Sequence, residues 1–217
     1  MGRRSVAVVL LIIAAVAIAG ACQAKDSSTN VENLAAVEIR EYEGTDLSSI
    51  ADFRENSIKG PQQIDLESYR LEVDGLVEKP LEYALGEVTD NHQNYEKVVT
   101  LNCVEGWRVK ILWEGVLVED LIGEARVSPE ANTVIFHACD GYTTSLPLAF
   151  VRDQNIMLAY KMNGVVLPPE RGAPFQLVAE SKWGYKWIKW VTRIELSDDP
   201  DYEGYWESRG YSNDGNL

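Results

Sequence analysis

The stretch Lys97-Val98-Val99-Thr100-Leu101-Asn102-Cys103-Val104-Glu105-Gly106-Trp107 decides how the chain is read. Its β-branched first half reads as a strand that runs straight into a cysteine. Where a strand gives way to a loop, a rigid scaffold holds a side chain in the open, a common position for functional groups. A thiolate there is a soft ligand suited to a transition metal. From the residues alone, Cys103 is equally a buried apolar residue, half of a disulfide with Cys139, or a metal ligand.

Working outward, Tyr69-Arg70-Leu71-Glu72-Val73 alternates as a half-buried strand does and closes at Asp74-Gly75. Residues 80–88, opened by Pro80, read as a short helix. Residues 115–125 read as another, with Val116, Leu117 and Leu121 inward. Residues 133–137 form an apolar strand, and 146–152 read as one or two helical turns. Strands over 156–162, 175–179 and 188–196 complete a strand-rich second half, punctuated by Pro168-Pro169 and Gly172-Ala173-Pro174. The pattern predicts an α+β domain with mixed β-sheets and short helices. It spans 62–198, behind an irregular arm over 34–61. A polar tail, 199–217, holds Tyr202, Tyr205, Trp206 and Tyr211, and that aromatic density predicts a tail packed back on the domain.

The first 21 residues do not belong to that core. Arg3 and Arg4 precede an apolar run over 6–18, too short to span a bilayer, which needs about 20 residues. The segment reads as a signal peptide. Ala19-Gly20-Ala21 leads directly to Cys22, in the manner of a lipobox whose cysteine is lipidated after cleavage; ordinary cleavage leaving Cys22 as a spare residue is the alternative. Arg3-Arg4-Ser5-Val6 also fits a twin-arginine signal, although paired arginines occur in any such leader. Residues 22–33 are polar and read as a tether. The expected location is the extracytoplasmic side of the cell membrane, anchored through Cys22.

With 20 Lys and Arg against 34 Asp and Glu, the chain carries a net charge of −14. Phosphate-rich partners need clustered cations, so a nucleic-acid role is excluded. No Gly-x-Ser-x-Gly elbow occurs, and two histidines are too few for a convincing triad or zinc site.

Four segments in order carry a resemblance. Cys103-Val104-Glu105-Gly106-Trp107, followed by Trp113-Glu114-Gly115-Val116, resembles the cofactor-cysteine motif of the sulfite oxidase type of molybdopterin-dependent oxidoreductases, in its bacterial periplasmic catalytic-subunit form. Asp140-Gly141-Tyr142 through Leu148 resembles a second family segment. Leu158-Ala159-Tyr160-Lys161-Met162-Asn163-Gly164, with Leu167-Pro168-Pro169-Glu170-Arg171-Gly172-Ala173-Pro174, resembles a third. Gly184-Tyr185-Lys186-Trp187-Ile188-Lys189-Trp190 resembles a fourth.

The resemblance implies a sulfite oxidase-type molybdopterin-binding fold and a molybdenum–molybdopterin cofactor. It implies Cys103 as the protein ligand to molybdenum and Tyr142 at the substrate face, where a phenol donates to an oxo group or oxyanion. Lys186 and Lys189 fall where basic residues hold the pterin phosphate, the alternative being a pair of solvated strand lysines. Glu105 shapes the pocket and His137 lines it, the alternative for His137 being a buried, hydrogen-bonded side chain. His92 reads as solvated. The chain departs from the family at Arg171, where many relatives have His, and at Gln176, where a basic residue is common; Arg171 still suits a phosphate bidentately. Phe53-Arg54-Glu55-Asn56 is similar to a segment that supplies an anion-binding arginine, which makes Arg54 a candidate substrate ligand, although the spacing to Pro61 differs by about one residue.

The implied activity is two-electron oxygen-atom transfer on a small-molecule substrate, either oxidation of a sulfite-like oxoanion or reduction of an S- or N-oxide. Electrons would pass to a separate carrier such as a cytochrome or a quinone-linked membrane subunit. The competing class is a cofactor-free extracytoplasmic binding lipoprotein that keeps the fold and permits a Cys103–Cys139 disulfide.

Overall fold

Leu71 and Val73 are fully buried while Arg70 and Glu72 face outward, the two-residue period of a sheet with one covered face. The computed structural model describes residues 23–24 and 28–217. The expected signal peptide, 1–21, and the lipidation site, Cys22, lie outside the described residues.

The strands of the two larger sheets are β1 (Arg70–Gly75), β2 (Leu81–Ala84), β3 (Tyr95–Asn102), β4 (Arg108–Leu117), β5 (Thr133–Ala138), β6 (Thr143–Pro147), β7 (Met157–Met162), β8 (Val165–Val166), β9 (Gln176–Val178) and β10 (Val191–Ser197). The helices are α1 (Ser28–Ala35), α2 (Leu85–Asn91), α3 (Val118–Glu124) and α4 (Leu148–Asp153). One sheet runs β6-β5-β10-β1-β2; the other runs β8-β7-β4-β3, with β9 also on β7. Among these pairings only β10 with β1 is parallel, Ile194 opposite Val73. The shared core includes Trp113, Phe136, Phe175 and Ile111, all fully buried, each worth about 1.5–3 kcal/mol in area removed from water. The mixed sheets and short helices predicted from the sequence are present.

Several boundaries differ from the sequence reading, for local reasons. Residues 81–84 are a strand, because Leu81 and Tyr83 pair with Val73 and Leu71; the helix starts only at Leu85, where Glu87 accepts the Ala84 N–H at 2.8 Å. Gly115 to Leu117 extend β4 instead of opening a helix. A Cβ on Gly115 would meet the Leu158 carbonyl oxygen at 2.1 Å, so only glycine admits the neighbouring strand there. Leu146 and Pro147 finish β6 before α4 begins. The end of the supposed tether is helical: Val31 is buried, and Leu34 and Ala35 pack beside it, the i, i+3, i+4 face of a helix. Of the two histidines, His92 is not solvated. Its side chain is 6% exposed, with Nε2 3.4 Å from Glu124 and the ring edge-on to Tyr83.

The arm, expected to be irregular, carries a short hairpin pairing Glu41–Tyr42 with Thr45–Asp46 and is fastened to the domain. Glu38 accepts from the Ser49 hydroxyl, the Ile50 N–H and the Asn163 amide at 2.5, 2.9 and 2.8 Å. This fixes the following residues, Phe53 to Ile58, against the end of β3.

Candidate active site

β3 and β4 pair as far as Asn102 opposite Arg108, and the five residues between them make the turn. Cys103 N–H donates to the Trp107 carbonyl at 2.9 Å, and Gly106 N–H donates to the Cys103 carbonyl at 3.0 Å. Gly106 sits at φ +87°, a conformation that favours glycine. Cys103 is thereby held at 4% exposure on the wall of a cavity of about 190 Å³. It is a free thiol, so the Cys103–Cys139 disulfide is not formed. Burial pushes its pKa up and the Glu105 carboxylate adds to that, while the Glu105 backbone N–H and the Asn56 amide, 3.5 Å from Sγ, oppose it. Glu105, 3.9 Å from the sulfur, also accepts from the Trp107 indole at 3.0 Å.

A second hairpin turn supplies Tyr142. Gly141, at φ +88°, donates to Ala138, and Ala138 N–H donates to the Tyr142 carbonyl. The phenol lines the same cavity, but its hydroxyl donates to the Tyr185 carbonyl at 2.5 Å. Burial, with Glu207 and Asp140 nearby, raises its pKa far beyond the ordinary tyrosine value, so it stays protonated. Asp140, 3% exposed, accepts the Tyr142 N–H at 2.9 Å.

The third wall is the turn after Pro168. Gly172, at φ +98°, caps it, and a Cβ there would meet Lys189 Cβ at 3.0 Å and Gln176 Cβ at 3.2 Å. Close backbone approach therefore gathers Glu170, Arg171, Gln176 and Lys189. Arg171 donates through Nε to the Ile50 carbonyl at 2.9 Å and stacks over Phe53 at 4.9 Å; its terminal nitrogens have no hydrogen-bond partner among the described residues. Lys189 pairs with Glu55 at 3.0 Å. Burial lowers the Lys189 pKa and Glu55 opposes this. Burial would raise Glu55, but Lys189 and Ser57 hold it below the usual carboxylate range.

The structure brings together Cys103, Glu105, Tyr142, Arg54, Arg171 and Lys189, all on one cavity. Two expected members are elsewhere. Lys186 is fully buried and ion-paired with Glu207 at 2.6 Å, with a further bond to the Ser145 carbonyl at 3.1 Å. The packed-back tail supplies that carboxylate, and Lys186, unlike Lys189, does not line the cavity. His137 lies on β5, where it bonds Glu195 at 2.8 Å beside Arg193, because strand alternation turns it away from the cavity. Asn56, Asp140, Glu170, Trp206 and Tyr211 also line the cavity and were not singled out from sequence. The aromatic density of the tail was the signal for the last two.

Residues 58–206 match the family described as oxidoreductase molybdopterin binding domain. An uncharacterized oxidoreductase of Bacillus subtilis (strain 168) is 36% identical over 152 residues, covering 70% of this chain and 76% of that protein. The catalytic subunit of a protein-methionine-sulfoxide reductase from Gluconobacter oxydans is 31% identical over 147 residues, covering 60% of this chain and 47% of that one. The crystal structure of the sulfane dehydrogenase SoxCD from Paracoccus pantotrophus superposes with a TM-score of 0.64 at 27% identity, over 67% of this chain and 42% of that one. The chain thus spans about half or less of the latter two proteins.

The residues present fit a molybdopterin. Among the described residues no group of three or more His, Cys, Asp or Glu could hold a metal ion by itself, whereas one free, buried thiol suits a metal whose other ligands come with a cofactor. The Arg171 guanidinium, its terminal nitrogens without a hydrogen-bond partner among the described residues, offers charge to its phosphate, and Lys189, paired with Glu55, lines the same cavity. Buried acceptors on Glu170 and Gln176 lack hydrogen-bond partners in the same wall.

Proposed function

The chain belongs to the oxidoreductase molybdopterin binding domain family and binds that cofactor, and from this premise we propose that it carries out two-electron oxygen-atom transfer on a small substrate. Cys103 is the protein ligand to molybdenum, and the bound cofactor supplies the oxygen-atom exchange and the redox equivalents. The observation that carries the reading is the free Cys103 thiol, presented at a strand end to a cavity that also holds Arg171 and Lys189. Asn56 steadies the sulfur through its amide, and the buried turn keeps water from it. Arg171 and Lys189 orient the phosphate end. Tyr142 holds its proton beside the substrate and gives a hydrogen bond once it leaves the Tyr185 carbonyl.

Two substrate classes suit such chemistry, a sulfite-like oxoanion to be oxidised or an S- or N-oxide to be reduced. Phe53, Trp107, Trp206 and Tyr211 give the cavity largely aromatic walls, which favours a neutral oxide with an apolar flank. Arg54, exposed at the same cavity, is the group an oxoanion would use. Electrons exchange with a separate carrier, a cytochrome or quinone-linked membrane subunit. The leader and Cys22 support export and a lipid anchor on the extracytoplasmic face.

Protein from a molybdenum-replete host should contain molybdenum and pterin and turn over one of these classes with an artificial electron carrier. Cys103→Ser should abolish turnover and metal content while part of the pterin remains; full activity in that variant would contradict the assignment. Mass spectrometry of the mature N-terminus tests the anchor, which an unlipidated terminus removes.

A further inference from the structure

We propose that Glu170 is the group that reads the pterin ring, its carboxylate accepting a pair of N–H bonds from the pyrimidine edge, with the Gln176 carbonyl beside it as a further acceptor. The assignment rests on the cofactor reading above. Both side chains line the cavity that holds Cys103. Glu170 is 7% exposed and Gln176 3%. Neither Glu170 carboxylate oxygen has a hydrogen-bond partner, nor does Gln176 Oε1. A carboxylate so enclosed, with neither oxygen accepting a hydrogen bond, is costly for a fold to hold. Its persistence beside a ligand cavity calls for donors brought by the ligand.

The chemistry of a pterin meets that need. Its amino group and adjacent ring N–H point the same way, a fork of two donors like the edge of a guanidinium. A carboxylate is the matching acceptor pair. The neighbouring cations do not compete for this role, since Lys189 is held by Glu55 and reaches only the Glu170 backbone carbonyl, at 3.4 Å. Arg171 is stacked on Phe53 and tied to Ile50. The terminal carboxyl torsion of a glutamate is soft, so a small turn brings both oxygens to the cavity surface. One turn of chain, closed by Gly172, then divides the labour: Glu170 and Gln176 take the ring's donors, while Arg171 and Lys189 take the phosphate.

The test compares wild type with Glu170→Gln and Glu170→Leu, produced in a host that makes the cofactor. Pterin is measured by fluorescence after oxidative release, molybdenum by elemental analysis, and apoprotein stability by thermal melting. Expected is pterin in wild type and about a tenfold or greater fall in retained pterin in both variants. Their apoproteins should melt at the wild-type temperature or above it, because neither substitution gives up a hydrogen bond that the protein itself makes to that carboxylate. Retention of wild-type pterin by both variants overturns the assignment. So does a lowered apoprotein melting temperature in Glu170→Gln, which would make the carboxylate a structural group. If wild type itself carries neither pterin nor molybdenum, the cofactor reading fails first, and this inference falls with it.

Discussion

Tyr142 shows how a single hydrogen bond sets what a residue can contribute. Its phenol is kept protonated by burial and by nearby Glu207 and Asp140, yet its proton already points at the Tyr185 carbonyl. A donor aimed at developing charge on a substrate is typically worth on the order of a hundredfold or more. Here part of that is offset, because the Tyr185 carbonyl must be left without its partner. Tyr142→Phe should therefore lower kcat by roughly ten- to a hundredfold, with molybdenum content unchanged, measured by elemental analysis beside turnover. A loss of metal in step with activity would show that Tyr142 supports the cofactor and not the substrate. The role of Cys103 was undecided between core, disulfide and ligand from its own surroundings, since all three begin with a cysteine in a buried place. The ordered motifs favoured the ligand, and the free thiol in the cavity wall agrees with it.

At the scale of elements, the strands entering and leaving the site were legible because alternation and β-branched runs are local signals. What was not legible depends on a partner distant in sequence. Residues 81–84 are a strand because β1 lies beside them, and Lys186 is neutralised because the short turn Glu207–Arg209 folds over it. That pair is fully buried on both sides. Glu207→Ala should therefore cost about 3–5 kcal/mol by stranding the lysine, whereas Lys186→Met with Glu207→Leu should recover most of it; denaturant unfolding of both variants checks the contrast. The β5–β10 ladder carries a pH dependence. His137 packs among Glu195, Arg193 and Asp74, and burial lowers its pKa from 6.5, with Arg193 assisting and Glu195 opposing. The unfolded chain then binds the proton more readily, so this contribution is intact above pH 6.5 and is lost as pH falls from there through the lowered value. His137→Gln should flatten the melting temperature against pH as pH falls below 6.5, a slope that differential scanning calorimetry reads directly.

The whole molecule is strongly acidic, with a net charge of −14, and several of its cations are held in ion pairs. Lys189 is occupied by Glu55, Lys186 by Glu207, and Arg193 by Asp74 and Glu195. The field seen from a distance is therefore negative, and a diffusing electron carrier of the kind proposed would meet it before it meets the site. Opposite charge raises encounter rates by orders of magnitude at low ionic strength, and the gain falls as the screening length shortens to about 10 Å in 0.1 M salt. A basic cytochrome should thus exchange electrons with the loaded enzyme at a rate that drops about tenfold or more between roughly 0.01 and 0.15 M salt. An acidic carrier of similar potential should be slow at low salt and quicken as salt is added. Stopped-flow absorbance of the carrier across a salt series decides it. A basic carrier whose rate ignores salt would mean that docking is governed by an apolar contact, for which the aromatic rim around Trp206 and Tyr211 would be the first place to make substitutions.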